Sequence, residues 1–425
     1  TAHQLSANCE SHTYGLVAAN KQGETANHDS SHRCIVFVSN TNTDVSALCS
    51  LPSGAQVAPW SVSIFQGKAG SSGCSELRQL YSTKQPTTAT KLDAAPLPEA
   101  QVRSWERIDE PLPSLAINES YAKVVSADHP IEQLSLTGDS TDYLWVTAEV
   151  QYDESSGKRA TRTTPTLSFD VGGAGGTAMH VFVNGKRLPD ADRFDPAVPI
   201  PHPGGVQHKK FHDVPLQQGT NSLKVLFTSM GLQNYGPYLE RVKVGIVSDM
   251  EVDGVAIRGE KPYSHFVGLV GEQQNFFGHE LSSKPWQVTG VKTEAVHTED
   301  SVQPLSWYKG SLDLPKSLPK EFRPALDMSA FGKGQVWVNG HMVGRFWDIR
   351  APERGCSACD EATYTGSYNP AYCRTGCGEA SQRYYKIPAD WLYVDQANTI
   401  VVFDEIGSEK TLGLPLVNMA ALPVA

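Results

Sequence analysis

Two segments of the chain, residues 181–185 and 336–340, have nearly the same sequence, Val-Phe-Val-Asn-Gly and Val-Trp-Val-Asn-Gly. In each, alternating apolar residues predict a strand that places one side on a hydrophobic core. Asn-Gly is the dipeptide that most readily adopts positive φ at both central positions of a two-residue hairpin turn. Each segment therefore predicts a strand, a tight reversal and a second strand, so the fold must accommodate two such hairpins.

The similarity continues on both sides of the two hairpins. Aromatic, β-prone runs precede them at residues 143–147 and 306–309, and Asn221 and Asn398 each open a further apolar run after them. The order of these features is the same in both halves of the pattern. We therefore predict two homologous β domains arranged in tandem.

The two copies differ in length. Their Asn-Gly turns lie 155 residues apart (339 − 184), whereas Asn221 and Asn398 lie 177 residues apart (398 − 221). The second copy is therefore longer by 22 residues (177 − 155), and most of this excess is expected in residues 356–377, a loop rich in Gly, Tyr and Cys. The period is much longer than that of a solenoid repeat, so the duplication concerns whole domains.

The composition indicates an all-β chain of several domains. A length of 425 residues is enough for about two to four domains. Turn signals from 27 Pro and 36 Gly residues separate short β-prone segments, which favours sandwiches or jelly rolls. The net charge of −10 argues against nucleic acid or an anionic membrane as a partner. No apolar run approaches the roughly 18 residues of a membrane span, so a soluble chain is predicted.

The sequence predicts three domains. Residues 1–100 are expected to form a small β-sandwich that ends in a Thr-, Ala- and Pro-rich surface linker, residues 82–98. Residues 101–253 and 254–425 are expected to form two jelly-roll domains, the second of which contains the Cys-rich loop. The early part of the second domain, around residues 266–269, is expected to cross between the two.

The eight cysteines fall into two groups of four, which favours disulfides closed within local domains. They are Cys9, Cys34, Cys49, Cys74, Cys356, Cys359, Cys373 and Cys377. The spacing of the second group is also close to that of a zinc ribbon, so a structural metal is the alternative. Asn118 heads the single N-x-S/T sequon of the sequence. Disulfides and glycosylation at Asn118 together predict a secreted protein, extracellular or lysosomal/vacuolar.

A set of motifs occurs here in an order that matches one known family. The motifs are residues 59–64, 141–145, 267–272, 305–308, 325–329, 332–340, 344–347, 378–385 and 387–392. Together they resemble the post-barrel half of plant-type glycoside hydrolase family 35 β-galactosidases, from about Val36 onward. The combination is highly specific, whereas no single motif is. The resemblance implies that the two jelly rolls have galactose-binding-like folds.

The resemblance also implies what this chain does not contain. In that family an N-terminal (β/α)8 barrel hydrolyses terminal β-galactosyl residues with retention, and β domains follow it. The alternating strands and helices of the about 250 residues that a barrel requires are not present in this sequence. The acid/base and nucleophile glutamates therefore have no counterparts, no catalytic residue is predicted, and the chain alone is expected to be inactive. No cofactor and no bound metal are predicted.

One dipeptide imitates the catalytic signature of the family. Asn118-Glu119 resembles the Asn-Glu pair with which such barrels present their general acid. Retaining hydrolysis requires two carboxyl groups about 5 to 5.5 Å apart on a rigid scaffold. Glu119 follows a Pro-rich entry and no partner carboxyl is suggested, so we assign it no catalytic role.

Sugar binding is the activity that a jelly roll could supply by itself, because aromatic faces stack on galactose while polar groups fix its hydroxyls. Candidate contacts are Trp347, Tyr364, Tyr368 and Tyr372, which lie in or beside the Cys-rich loop. The alternative, which the sequence favours, is that Trp347 packs beneath this loop and the tyrosines cover it.

Other residues in these motifs are predicted to have structural roles. Three tryptophans alternate with polar neighbours at strand period and are expected in hydrophobic cores: Trp145, Trp307 and Trp337. Arg345 is expected to form a buried ion pair with Asp327 or Glu405.

Three histories are compatible with such a chain. In the first, a precursor is cut after its barrel, both pieces stay associated, and this chain supports the site of the barrel chain. In the second, the barrel was lost and a glycan-binding or assembly protein remains. The third is a purely structural module of a larger extracellular assembly. A processed subunit would show a broad apolar face, on the small N-terminal domain and on one jelly roll, where the barrel docked. Thr1 begins no signal peptide, so the chain is expected to be either a mature product whose leader was removed or a piece of something longer.

Overall fold

A computed structural model describes most of the chain. The described residues are 2–6, 9–16, 33–42, 49–51, 56–70, 73–82, 90–114, 123–153, 164–173, 178–188, 206–230, 242–278, 294–295, 300–319, 322–356 and 376–423. Within them, two short helices, Gln133–Thr137 (α1) and Val270–Gln273 (α2), and a 3-10 turn at Ala389–Trp391 accompany a chain built of strands.

The strands confirm the predicted all-β fold. The first are β1 Ala2–Ser6, β2 Cys9–Leu16, β3 Arg33–Asn40, β4 Cys49–Ser50, β5 Gln56–Val57, β6 Ser61–Gly70, β7 Gly73–Ser82, β8 Thr90–Asp109, β9 Lys123–Ala127, β10 Tyr143–Tyr152, β11 Leu167–Gly172, β12 Ala178–Val183, β13 Lys186–Arg187 and β14 Val206–Phe211. The others are β15 Gly219–Thr228, β16 Gly245–Ile246, β17 Glu251–Val252, β18 Val255–Ala256, β19 Tyr263–Val267, β20 Glu294–Ala295, β21 Ser301–Val302, β22 Ser306–Leu312, β23 Pro324–Asp327, β24 Lys333–Val338, β25 His341–Trp347, β26 Tyr384–Lys386, β27 Asn398–Asp404, β28 Ser408–Thr411 and β29 Pro415–Pro423.

The chain divides into two compact units. Unit 1 comprises residues 1–95, 349–381 and 419–425, and unit 2 comprises residues 96–348 and 382–418. Unit 2 contains two β-sandwiches. The three-domain division expected from the sequence stays a prediction.

Unit 1 contains a small sandwich. An antiparallel sheet with the order β1-β2-β3-β6-β7 lies beside the β4–β5 pair. Alternate residues of β3 and β6 face inward, because successive side chains of a strand point to opposite sides. They form one cluster with residues from the β4–β5 segment: Val36, Val38, Leu51, Val57 and Phe65.

The structure differs from the predicted linker at residues 82–98, because β8 already begins at Thr90. Further along β8, Val102, Trp105 and Ile108 are buried, and Leu97 packs against the same core as Trp105. These apolar contacts extend the strand into a stretch whose composition alone indicated a surface linker.

The first sandwich of unit 2 packs two sheets face to face. One sheet has the order β13-β12-β15-β10-β19-β9, and the other has the order β14-β11-β17-β18 with β16 also pairing β11. Apolar residues of both sheets share one core, including Leu144, Val181 and Val225 from the first sheet and Phe169 and Val252 from the second.

The second sandwich is formed by one long sheet that folds around its own core. Its order is β25-β24-β27-β22-β8-β29-β23-β26, with β20 pairing β8. The core joins Val336 and Val402 from one side of the sandwich to Leu326, Tyr385 and Leu416 from the other.

The duplication expected from the sequence is visible in the strand order. The run β13-β12-β15-β10 of the first sandwich corresponds to β25-β24-β27-β22 of the second. In each run, the predicted hairpin comes first, the strand opened by Asn221 or Asn398 follows, and the aromatic entrance strand comes last. The other side of each sandwich also contains a corresponding pair of strands, β11 with β14 in the first and β23 with β26 in the second.

The two sandwiches exchange segments. Strand β19 pairs β10 in the first sandwich, although it follows the first copy in sequence, and β8 pairs β22 in the second, although it precedes the first copy. The expected crossing around residues 266–269 is therefore present. Within the residues described above, no helix has both the length and the apolar content that a membrane crossing requires.

Candidate functional site

The two Asn-Gly turns have the backbone conformation that their sequence predicts. Asn184 and Gly185 have φ of 52° and 78°, and Asn339 and Gly340 have φ of 48° and 83°. Positive φ at both central residues is the signature of a two-residue type I′ hairpin turn. Both predicted hairpins are confirmed.

In the first hairpin the turn asparagine also joins the neighbouring strand. The Asn184 side-chain nitrogen donates to Asn221 Oδ1 at 2.8 Å, and the backbone N–H of Ser222 donates to Asn184 Oδ1 at 2.9 Å. Asn221 in turn donates to the carbonyls of Gln217 and Gly219. The turn and the start of β15 are thereby fixed to each other.

The second hairpin repeats this arrangement. Asn339 Nδ2 donates to Asn398 Oδ1 at 2.8 Å, and the backbone N–H of Thr399 donates to Asn339 Oδ1 at 2.8 Å. Asn339 Nδ2 also donates to the Trp391 carbonyl at 2.7 Å. The correspondence of Asn221 with Asn398 therefore extends to individual side-chain hydrogen bonds.

A hydrophobic cluster lies between the two sandwiches of unit 2, and we call it the inter-sandwich cluster. It consists of Ile108, Tyr143, Trp145, Phe182, Leu226, Phe266, Leu269, Val270, Phe276, Leu305, Trp307, Trp337, Val401 and Phe403. The three tryptophans predicted to be buried are 0%, 1% and 4% exposed, which confirms that prediction. They lie between the sandwiches rather than inside either one.

Aromatic rings stack through the middle of the inter-sandwich cluster. The ring centroids of Trp307 and Phe403 are 4.6 Å apart, and Phe277 lies parallel to Trp337 at 4.6 Å. Both faces of the central strands are consequently covered, and every residue of β12 and β24 is buried. The expectation that each hairpin strand places only one side on a core was therefore incomplete.

A buried polar centre adjoins the aromatic rings of the inter-sandwich cluster. Glu405 pairs with the ammonium group of Lys333, and both residues are buried. Glu405 also accepts hydrogen bonds from Tyr143 Oη at 3.1 Å and Thr228 Oγ1 at 3.2 Å. Tyr143 and Thr228 belong to the first sandwich and Lys333 and Glu405 to the second, so this centre connects the two.

Arg345 forms a different ion pair from the one predicted. Its Nε and Nη2 donate to the two carboxylate oxygens of Asp142 at 2.6 and 2.7 Å, and its side chain is 43% exposed. Asp327 pairs instead with Arg383, and Glu405 pairs with Lys333. The prediction was wrong because the partner of Arg345 comes from the other sandwich, 203 residues away in sequence.

Three further carboxyl groups have raised pKa values, those of Glu110 and Glu272 at this junction and that of Asp404 beside Glu405. Burial raises the pKa of Glu110, Glu272 and Asp404 to about 7 in each case. Hydrogen bonds to these carboxyls from backbone and side-chain donors act in the opposite direction and limit the rise. The junction therefore concentrates groups that titrate near neutrality.

Trp347, the first of the predicted sugar contacts, is half-buried at the end of β25. The Lys333 ammonium lies 5.5 Å from its ring centroid, within the range of a cation–π contact, and the Tyr385 hydroxyl accepts its backbone N–H at 3.3 Å. Tyr364, Tyr368 and Tyr372 lie outside the described residues. The choice between sugar contact and packing for these four residues stays open.

The Cys-rich loop is closed at its base by a disulfide. Cys356 and Cys377 are bonded, with Cα atoms 5.9 Å apart, which confirms a disulfide rather than zinc for this pair. Backbone hydrogen bonds from Ala351 to Glu379 and from Ser381 to Ile349, at 2.9 and 2.7 Å, hold the two ends of the loop together.

The other predicted cysteine and glycosylation sites lie partly within the described residues. Cys34 is disulfide-bonded. Cys9, Cys49 and Cys74 lie in β2, β4 and β7. Cys359, Cys373 and Asn118 lie outside the described residues, as does Glu119. In the described part of the chain, no group of three or more His, Cys, Asp and Glu side chains is arranged to hold a metal ion.

Sequence reasoning missed the polar centre, although part of its signal was present. Asp142 directly precedes the apolar run of β10, and Asp404 and Glu405 directly follow the apolar run of β27. Carboxyls at the ends of strands that are apolar on both faces are candidates for burial. Glu110 and Glu272 carried no comparable signal, because their burial depends on contacts made far along the chain.

Part of the chain matches a known family. Residues 305–398 match the family described as beta-galactosidase, galactose-binding domain. This segment covers β22 to β26 and ends at Asn398, so it contains the second hairpin and the Cys-rich loop. The match identifies the second sandwich as similar to a domain found in β-galactosidases.

Two solved structures are similar to a longer part of the chain. An α-L-rhamnosidase from Dictyoglumus thermophilum is 11% identical with a TM-score of 0.22, and the match covers 85% of this chain and 40% of that one. An α-L-rhamnosidase from Aspergillus terreus is 12% identical with a TM-score of 0.23, and the match covers 95% and 45%. The chain spans less than half the length of both rhamnosidases. At such TM-scores we draw no functional conclusion from them.

Proposed function

We propose that this chain is the non-catalytic β-domain portion of a β-galactosidase of the plant-type family 35 kind. In this proposal, a (β/α)8 barrel chain hydrolyses terminal β-galactosyl residues, and the present chain supports it. The observation that carries the proposal is the match of residues 305–398 to the galactose-binding domain of β-galactosidases. The first sandwich of unit 2, which repeats the strand order of the second, contains the motif at residues 141–145 and so also supports the proposal.

The positions of the described carboxyl groups support a non-catalytic role. A retaining glycosidase needs two carboxyls that face a substrate across an open cleft. Glu110, Asp142, Glu272, Asp404 and Glu405 form a chain of carboxyls in which each acts electrostatically on a neighbour. Each accepts hydrogen bonds from protein donors, which supports a structural role for these carboxyls.

Localisation follows from the same proposal. Bonded cysteines at Cys34 and at the Cys356–Cys377 pair support an oxidising compartment, since disulfides are rare in reducing cytosol. We place the protein in the secretory route, with an extracellular or vacuolar or lysosomal destination and glycosylation at Asn118.

The test is purification from the native source without denaturation. Intact mass and partner identification are expected to give a barrel-type polypeptide from the same precursor in an equal amount. Recovery of this chain without any barrel polypeptide, from extracts that contain active β-galactosidase elsewhere, would exclude the subunit role.

A second candidate function is stand-alone glycan binding. It is favoured by the galactose-binding description of the matched family and by the half-buried ring of Trp347, which precedes the Cys-rich loop in sequence. Titration of the chain with galactose, followed by NMR, tests it. This function is supported if the affinity for galactose falls at least about tenfold in Trp347→Ala and is unchanged in Trp60→Ala. Equal affinities in the two variants contradict it.

A further inference from the structure

Four carboxyl groups lie where the two sandwiches of unit 2 meet, and a fifth, on Asp404, adjoins Glu405 at the end of β27. Two cationic side chains pair with members of this set. The carboxyls belong to Glu110, Asp142, Glu272, Asp404 and Glu405, and all except the partly buried Glu272 are buried. Lys333 neutralises Glu405, and Arg345 neutralises Asp142. We infer that this junction is a pH-sensitive lock, which tightens when the medium is acidified from about pH 8 to about pH 5 and loosens above neutrality.

Glu110 is one of the three carboxyls that have no cation, and it is buried. It accepts hydrogen bonds from the backbone N–H groups of Val270 and Gly271 at 2.6 and 3.2 Å, and from Trp307 Nε1 at 2.8 Å. The charged group that faces it is Glu272, which is also acidic. An ionised Glu110 is therefore stabilised by dipoles alone in a buried site.

Glu272 lies on α2 and reaches the first sandwich. Its Oε2 accepts from Thr141 Oγ1 at 2.8 Å and from the backbone N–H of Leu269 at 2.9 Å. The charges that face it are Asp142 and Glu405, and both raise the pKa of its carboxyl. Ionisation of Glu272 is thus opposed from both sandwiches.

Asp404 closes β27 and holds the loop that follows. Its Oδ2 accepts from the Gly332 N–H at 2.7 Å, and its Oδ1 accepts from the N–H groups of Ile406 and Gly407 at 3.1 and 2.6 Å. The charge that faces it is Glu405. Within the described residues, no Lys or Arg makes an ion pair with Asp404, Glu110 or Glu272.

The direction of the pH effect follows from burial. Burial raises the pKa of Glu110, Glu272 and Asp404 to about 7 in the folded chain, whereas their ordinary values are 4.5 for Glu and 3.8 for Asp. The folded state therefore binds protons, as the pH falls through 7, that the unfolded state does not yet bind. Stability rises with this uptake until the unfolded chain is protonated as well.

Two buried histidines oppose the carboxyls over part of the range. Burial lowers the pKa of His180 to about 3, with Arg187 and Lys333 acting in the same direction, and burial also lowers the pKa of His265. Neutral burial of these rings loses stability as the pH falls through the ordinary His pKa of about 6.5. Tyr143, whose pKa burial raises well above 10.0, stays neutral throughout. On acidification the three carboxyls increase the free energy of unfolding and the two histidines decrease it. We therefore expect a net increase in stability down to about pH 5.

The experiment is urea unfolding of the full chain at about pH 8 and about pH 5.5, followed by tryptophan fluorescence. The unfolding midpoint is expected to be higher at the lower pH. The unfolding equilibrium constant is expected to fall about tenfold or more between the two conditions, as one uncompensated carboxyl requires. An unchanged midpoint, or one that falls on acidification, would overturn the inference.

Glu272→Gln tests the lock at one residue. Both hydrogen bonds of Glu272 are accepted by Oε2, so a glutamine oxygen can replace them while its NH2 group occupies the Oε1 position. This variant is expected to be more stable than the parent at about pH 8. The ratio of its unfolding equilibrium constants at about pH 8 and about pH 5.5 is expected to be about tenfold smaller than that of the parent. Glu149→Gln, on an exposed position of β10, is the matched control and is expected to keep the full dependence.

Hydrogen exchange locates the effect and remains informative if Glu272→Gln does not fold. After correction for intrinsic rates, the amides of Val270 and Gly271 are expected to be better protected at about pH 5.5 than at about pH 8. Equal protection of these two amides at both pH values contradicts a lock at this junction.

Discussion

At the scale of the residue, the asparagine of the second turn has two separable roles. Asn339 adopts positive φ, and its side chain joins the turn to Asn398, Thr399 and Trp391. Glycine retains the conformational role and removes the hydrogen bonds, whereas alanine removes both. The pair of substitutions therefore distinguishes the two contributions.

We expect Asn339→Gly to lower the free energy of unfolding by about 1–2 kcal/mol, because buried hydrogen-bond partners lose their donor or acceptor. Asn339→Ala is expected to lower it by about 1 kcal/mol more, since a residue with a Cβ resists positive φ. Urea unfolding measures both, and Asn184→Gly provides the matched substitution in the first hairpin. Equal losses in the glycine and alanine variants would show that the turn conformation contributes nothing.

The two cations of the junction differ in burial and should differ in effect. Lys333 is buried against Glu405, whereas Arg345 is partly exposed and pairs with Asp142. Removing one partner of a buried pair leaves an uncompensated charge.

Lys333→Met is therefore expected to lower the free energy of unfolding by about 3–5 kcal/mol at neutral pH. Arg345→Ala is expected to lower it by about 1.5–3 kcal/mol, the range for hydrogen bonds to a charged group. Chemical denaturation of both variants at one pH provides the comparison. A larger loss for Arg345→Ala would contradict the assignment of Glu405 as the more enclosed carboxylate.

At the scale of the element, β24 connects the local pattern of the sequence to the junction. Its core side was predictable from alternating apolar residues, and its other side carries Trp337, Gln335 and Lys333 toward the first sandwich. We expect Trp337→Ala to lower the free energy of unfolding by about 3–5 kcal/mol, because a large ring is lost from a closed cluster.

Trp60→Ala is the control for Trp337→Ala, since Trp60 is exposed on unit 1. The exposed substitution is expected to change stability by less than about 0.5 kcal/mol. Calorimetry of both variants tests the difference. Similar losses in the two variants would mean that the inter-sandwich cluster contributes little to the stability of unit 2.

The elements also show which features the sequence could predict. The hairpins at Asn184 and Asn339 were predictable because Asn-Gly determines its turn locally. The strands opened by Asn221 and Asn398 were predictable from the internal repeat. The pairing of Arg345 with Asp142 was not, because it joins residues 203 positions apart on separate sandwiches.

The same distinction applies to the candidate site. Burial of Trp307 could be predicted from strand periodicity, but the hydrogen bond from its Nε1 to Glu110, 197 residues away, could not. The raised pKa of Glu272 also results from long-range packing, which brings Asp142 and Glu405 to it. Nothing in the sequence around Glu272 indicates that these charges will face it.

At the scale of the whole molecule, the two sandwiches of unit 2 are joined through the inter-sandwich cluster and its polar centre. The second sandwich matches a domain found in β-galactosidases, and the buried carboxyls join it to the first sandwich. In the function that we propose, this chain belongs to a larger enzyme whose barrel supplies the reacting groups. The pH dependence of the junction would then adapt the assembly to an acidic compartment.

We propose that the groups that hydrolyse the β-galactoside belong to a barrel polypeptide and not to this chain. The most direct measurement is the hydrolysis of a chromogenic β-galactoside by the purified chain, assayed alone and together with its barrel polypeptide. We expect turnover only when the barrel polypeptide is present. Steady hydrolysis by the chain alone, persisting at constant specific activity through successive purification steps, would contradict the account.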